Sequence, residues 1–347
     1  MPGSERRRDL NLLPKAHLHL HFTGSMSIPT LREVAALGGA ELPEALTDDI
    51  ALDVPFDKRG WFRFQRLYDT ARHTVTSEEA MRMIVARAAA DDAREGSRRL
   101  ELQVDPTGYA DHVGGLQPAL EIVLDAAREA TRTSGVQVGV IVAASRMKHP
   151  LDARALARLA ARYAGDGPGE VIGFGLSNNE RNGDTSAWEG AFRIARTAGL
   201  RSVPHAGELL GPDAIRAALA ALHPDRIGHG VRSVEDPRLV DALAARGVPL
   251  EVCPASNVHL GVFPDDASVP LRTLMGAGVQ VALAADDPLL FLSRLTDQYA
   301  IARDVQGFSD PELATLASAS IDASFASDAD KRRWKAEVDA WLADPPG

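Results

Sequence analysis

The sequence predicts a (β/α)₈ barrel, an α/β fold, with extra helices inserted after its first strand. Three observations predict it. Eight short apolar runs alternate with Ala/Leu/Arg-rich stretches of helical spacing, the pattern of parallel strands joined by crossover helices. The 347 residues suit a barrel, and no low-complexity linker divides them. The unusual polar residues fall just after the apolar runs, where the loops of a barrel carry its chemistry. A doubly wound sheet is the competing arrangement, but no Gly-x-Gly-x-x-Gly follows the first strand. One barrel domain is therefore expected over 12–347, behind a flexible tail at 1–11.

The first strand lies in Ala16-His17-Leu18-His19-Leu20-His21-Phe22-Thr23-Gly24. His alternates with Leu, so His17, His19 and His21 share one face. Three buried imidazoles without partners would be costly, and a divalent metal is the usual remedy. Residues 25–94 then read mostly as helix. Ser27-Ile28-Pro29-Thr30 opens one helix, stopped at Gly38-Gly39, and Ser77 before Glu78-Glu79 opens another. Between them, Trp61-Phe62-Arg63-Phe64-Gln65-Arg66-Leu67-Tyr68 gathers aromatic side chains on a helix, suited to packing or to a lid over a substrate pocket. The remaining strands are expected near 99–104, 136–143, 171–176, 201–205, 226–229, 248–253 and 279–284. Helices are expected at 117–131, 152–163, 187–198, 213–222, 237–246 and 269–276, with a closing helix at 331–342.

Composition removes several function classes. A net charge of -10 argues against a nucleic-acid partner. No apolar run reaches the ~18 residues that cross a bilayer, which argues against a membrane protein. The basic start, Met1 to Arg8, leads into no apolar signal core, so a cytoplasmic location is expected. Cys253 is the sole cysteine, which excludes an internal disulfide and a Cys-rich zinc ribbon; its apolar setting reads as a small buried hydrophobe.

Polar strings close six of the strands. The first ends at His19 and His21, the fourth in Ser177-Asn178-Asn179-Glu180, and the fifth in Pro204-His205-Ala206-Gly207-Glu208. The sixth ends in Gly228-His229-Gly230, the seventh in Pro254-Ala255-Ser256-Asn257, and the eighth in Ala285-Asp286-Asp287-Pro288. Three His and one Asp form a nitrogen/oxygen set suited to Zn²⁺, with one position left for water. His17 would lie one layer deeper, as a supporting or satisfied core residue. No lysine occurs between Lys148 and Lys331, so the modified lysine that bridges paired metals in binuclear barrels has no counterpart at the fourth strand. One zinc per chain is expected.

These strings resemble the adenosine deaminase family of metal-dependent amidohydrolases. The matching residues are Pro14-Lys15-Ala16, His19-Leu20-His21, Gly24, His205-Ala206-Gly207-Glu208, Arg226-Ile227-Gly228-His229-Gly230, Glu251-Val252-Cys253-Pro254-x-Ser256-Asn257 and Asp286-Asp287-Pro288. The Pro-Cys-x-x-Cys signature of the cytidine-type zinc deaminases is missing. The resemblance implies that His19, His21, His205 and Asp286 hold the zinc, which activates water for attack on C6 of a 6-aminopurine. It further implies that Glu208 protonates N1, that His229 orients the water and takes its proton, and that Asp287 holds N7. Gly207 and the backbone near Asn178 would border the purine, Asn178 at its N3 edge. The implied substrate is a small purine nucleoside of the adenosine type, deaminated with release of ammonia.

Four departures bear on that substrate. His17 stands where the family usually has Glu, and Thr23 replaces an acidic residue that normally bonds the ribose 5′-hydroxyl. Leu176-Ser177-Asn178-Asn179-Glu180 replaces Leu-Ala-Gly-Asp-Glu, and Ala284-Ala285 replaces Asn-Thr. With Thr23 reading the 5′ end and Phe22 turned to the barrel wall, 5′-modified adenosines such as aminodeoxyfutalosine enter the expected range. Free adenine is a further option. A non-catalytic zinc-binding barrel is the alternative of another class, and the retained Glu208 and His229 argue against it.

Overall fold

The computed structural model describes residues 7–345. Eight parallel strands run in the order β1 to β8: Lys15–His21, Ser97–Val104, Gln137–Ser145, Val171–Ser177, Arg201–Ala206, Ile227–His229, Leu250–Val252 and Val281–Leu283. The ring closes between β8 and β1, where the His21 N–H donates to the Asp286 carbonyl at 3.1 Å and the Asp286 N–H donates to the His19 carbonyl at 3.1 Å. This is the expected (β/α)₈ barrel. The last three strands are shorter than their apolar runs. Cys253 already caps the helix opened by Pro254, so its residue leaves the ladder.

The expected insertion after β1 consists of α1 (Ile28–Gly38), α2 (Lys58–His73) and α3 (Glu78–Arg94). Each starts on a capping oxygen, from Ser27, Asp57 and Ser77 respectively. Among the described residues no helix is long and apolar enough to cross a membrane.

Part of the expected tail has partners in the structure. Residues 1–6 lie outside the described residues, but residues 7–11 are docked. Arg8 donates to the carbonyls of Trp341 and Leu342 and to Asp310, while Leu10 is buried in a short 3₁₀ turn. The buried Lys15 ammonium caps that turn through the Leu10 and Leu13 carbonyls. A segment with these partners does not fray.

The barrel interior is divided chemically. Toward β3, β4 and β5 it is filled by Ile141, Ile172 and Val203, with Phe325 packed against them from the closing segment. Toward β1, β2, β6 and β7 it is ionic. Arg226 donates to Glu101 at 2.6 Å, to Glu251 at 2.6 Å and to the Ala323 carbonyl at 2.8 Å. Arg99 adds a second bond to Glu101 at 3.0 Å, and the Phe325 N–H a third at 2.7 Å. These side chains are fully buried, so each charge depends on the others for its solvation. Arg226→Met should therefore strip a charged partner from each of two buried carboxylates, Glu101 and Glu251, and destabilise the protein by about 3–5 kcal/mol, read as a lowered denaturation midpoint. A loss below about 1 kcal/mol would show that the ionic floor does not support the fold.

Candidate active site

The site stands at the C-terminal ends of the strands. His19 and His21 project from the same face of β1, as the period-two alternation requires. Between them and Asp286 the separations are 3.4 and 3.1 Å from His19 Nε2 and His21 Nε2 to Oδ1. His205 Nε2, at the end of β5, lies 3.2 Å from His21 Nε2. Donor atoms around a tetrahedral zinc with bonds of about 2.1 Å would be separated by about 3.4 Å, close to these three spacings; the structure also groups His19 with His205 and His229, and Asp286 with Glu208 and His229.

Neighbouring groups aim the donors. Glu251 faces His19 Nδ1 at 2.8 Å, which places the proton there and leaves the Nε2 lone pair toward Asp286. His19 Nε2 has no hydrogen-bond partner. Burial disfavours charge on this ring, yet the Asp286 and Glu251 carboxylates on either side outweigh it and raise His19 to about 10. Two carboxylates bracketing one imidazole call for a cation at its free nitrogen. Ser256 donates to the second Asp286 oxygen at 2.7 Å, and Arg146 donates to the His205 carbonyl at 3.1 Å. His17 is a satisfied core residue: the Ala285 N–H donates to its Nε2 at 3.1 Å and its Nδ1–H donates to Asp92 at 3.0 Å. Cys253 is buried near His19 and Asp286, and burial pushes its thiol well up.

Glu208 and His229 stand beside this cluster, with His229 Nε2 3.7 Å from Glu208 and 3.9 Å from Asp286. Burial pushes the Glu208 carboxyl well above its usual range, and the charges of Asp286 and Glu180 add to that. Burial also lowers His229 to about 3, so its ring is neutral near pH 7. Asp287 is raised well above its ordinary value by burial and by Asp286 beside it. Its Oδ1 lacks a partner, and a Cβ at Gly24 would collide with it, which explains a glycine there. Asn178, His229 and Asp286 all adopt positive φ, at 74°, 62° and 63°. Such strain in non-glycine residues gathers at functional sites.

The pocket in front of these groups is roofed by α2. Trp61, Phe64, Gln65, Tyr68 and Arg72 line it from one face of that helix, together with Phe22 and Tyr109. The segment 61–68 thus covers the pocket as well as packing. Two expectations for the substrate contacts are corrected. Thr23 is fully buried, bonds the Tyr109 hydroxyl at 2.6 Å and does not line the pocket; Phe22, expected in the wall, lines it instead. The strand ends at His21, so alternation no longer fixes which way residues 22 and 23 face. The Gly207 N–H is likewise engaged, donating to Glu180 at 2.6 Å.

Glu180 is a residue that the sequence reading left without a role. Its carboxylate accepts from four consecutive backbone N–H groups, of Gly207, Glu208, Leu209 and Leu210, at 2.6 to 3.1 Å. It holds the turn that carries Glu208. The only signal was its place in the string after β4. Glu180→Gln turns an amide donor toward those N–H groups, so about 1.5–3 kcal/mol of stability should be lost. Backbone hydrogen exchange at 207–210 should accelerate; unchanged protection would remove Glu180 from the support of Glu208.

Comparison with known proteins places this geometry in a family. The family model for adenosine deaminase matches residues 14–341. A Streptomyces coelicolor protein, named as a candidate adenosine/adenine deaminase, is 56% identical over 97% of this chain and 99% of its own length. The crystal structure of an adenine deaminase from Arthrobacter aurescens superposes with a TM-score of 0.87 at 31% identity, covering 96% of this chain and 100% of that one. A Burkholderia ambifaria amidohydrolase, solved with bound Zn, gives a TM-score of 0.83 at 26% identity, covering 96% and 94%. With its model matched across nearly the whole barrel, the chain belongs to the adenosine deaminase family and is a hydrolytic deaminase.

Proposed function

We propose that the chain removes the 6-amino group of a purine in a zinc-dependent hydrolysis, with free adenine as substrate and hypoxanthine and ammonia as products. One observation carries the reaction. His21, His205 and Asp286 line the pocket, with His19 buried beside Asp286, together with a buried acid, Glu208, a neutral imidazole, His229, and a second carboxyl, Asp287. Donor spacing and ligand type support a single zinc per chain, as does the zinc in the Burkholderia relative. When bound, zinc supplies Lewis acidity that makes a water nucleophilic near neutral pH.

The chain's own groups do the rest. Glu208, kept protonated by burial, gives its proton to N1 and so makes C6 electrophilic. His229, kept neutral, receives the proton of the attacking water and returns it to the departing amine. Asp287, held in its acid form, donates to N7. Asn178 borders the N3 side from the end of β4.

Adenine is supported over a 5′-modified nucleoside because Thr23 is sequestered by Tyr109 and offers nothing to a sugar. The Arthrobacter neighbour acts on the same base by its name. Adenosine is the second reading, favoured by the polar lining of Gln65, Arg72 and Asp105 beyond the aromatic roof.

An absorbance assay with adenine and adenosine tests the reading. Glu208→Gln keeps the shape of the acid without its proton, so kcat should fall by about 10²-fold or more while KM changes far less. The wild-type rate should also fall as pH rises through the elevated Glu208 pKa, a limb the variant lacks. Near-normal turnover in Glu208→Gln would remove this residue from the chemistry.

A further inference from the structure

β2 presents Arg99, Glu101 and Gln103 to the barrel interior, alternating with Leu100, Leu102 and Val104. The first two belong to the ionic floor. Gln103 does not. It is 1% exposed, lines the active-site pocket, and neither its Oε1 nor its Nε2 has a partner. Its main chain is fixed, paired with His21 across the sheet and accepting from the Phe22 N–H at 2.8 Å. A buried carboxamide with both functions unpaired is costly, and a ligand that pairs both recovers that cost.

The order of the strands says which part of the ligand meets it. Glu208, His229 and Asp287 follow β5, β6 and β8, and β2 to β4 form the facing part of the ring. A purine with C6 at the metal donors, N1 at Glu208 and N7 at Asp287 turns its N3/N9 edge toward β2 to β4. In free adenine that edge carries an acceptor, N3, beside a donor, N9–H. A carboxamide offers the complement, and Gln and Asn read another edge of adenine in this bidentate way. A nucleoside has no N9–H, and would leave Oε1 unpaired against its sugar.

Resting on the adenine reading above, we infer that Gln103 is a specificity-determining residue: its Oε1 accepts from N9–H and its Nε2 donates to N3, selecting the free base over N9-substituted purines. The test compares adenine, 9-methyladenine and adenosine as substrates of the zinc-loaded protein and of Gln103→Met. The wild type should prefer adenine over 9-methyladenine by about 100-fold or more in kcat/KM. Gln103→Met should lower the adenine value by about 10- to 100-fold, mostly through KM, and the 9-methyladenine value, which rests on the N3 bond alone, by about 10-fold or less. Equal use of adenine and 9-methyladenine by the wild type, a comparison that needs no variant, overturns the inference. So does a Gln103→Met that depresses both substrates alike. In either case deamination itself still stands, whereas turnover of none of the three purines would overturn the deaminase reading and this inference with it.

Discussion

The Glu251 carboxylate sits between two obligations. One oxygen accepts from Arg226 at 2.6 Å and the other faces His19 Nδ1 at 2.8 Å. Through Arg226 it is tied to Glu101, and through Glu101 to Arg99 and the Phe325 backbone. The charge network that fills the floor of the barrel is therefore the same one that orients the His19 imidazole beside Asp286. A barrel packed with aliphatic layers would be simpler to stabilise, since a buried ion network has to repay a large desolvation cost. What this arrangement supplies is orientation: His19 cannot rotate or change tautomer without breaking a chain that reaches the Phe325 backbone.

Burial then separates three carboxyl groups that lie close together. Burial alone would raise Asp286, but bonds from His19 and His21 hold it well below its usual range and anionic. Glu208 and Asp287 lack such partners, and burial with the Asp286 charge keeps them in the acid form. One anion and two acids in the same pocket follow from which carboxyl the His19 and His21 rings bond. The strained backbone at Asn178, His229 and Asp286 shows that the strand ends are bent to bring these groups into one pocket.

Much of this was legible in the sequence. Alternation of strand and helix periods gave the barrel, because both signals are local. The period-two spacing puts His17, His19 and His21 on one face, but the ladder is irregular between His17 and Leu20, and His17 pairs with Asp92 of α3 while His19 and His21 face Asp286. Thr23 and Phe22 were misplaced because alternation holds only inside a strand, and β1 ends at His21. Glu180, Glu251 and Gln103 have no role legible in the sequence because their partners lie 25 or more residues away, or are not protein groups at all. A signal did exist for the last two: a single acid in Leu250-Glu251-Val252, and polar residues at every second position of β2, are out of place in apolar strands unless they face a polar interior.

The central claim is that one ion is held by three imidazoles and Asp286, and X-ray absorption at the zinc edge tests it most directly. Metal-free protein titrated with Zn²⁺ should take up one equivalent per chain. Its spectrum should show a first shell of nitrogen and oxygen at about 2.0–2.2 Å with imidazole outer-shell scattering. A sulfur contribution at about 2.3 Å would place Cys253 on the metal, and a second equivalent with metal–metal scattering would replace the single site by a binuclear one; either result contradicts the account.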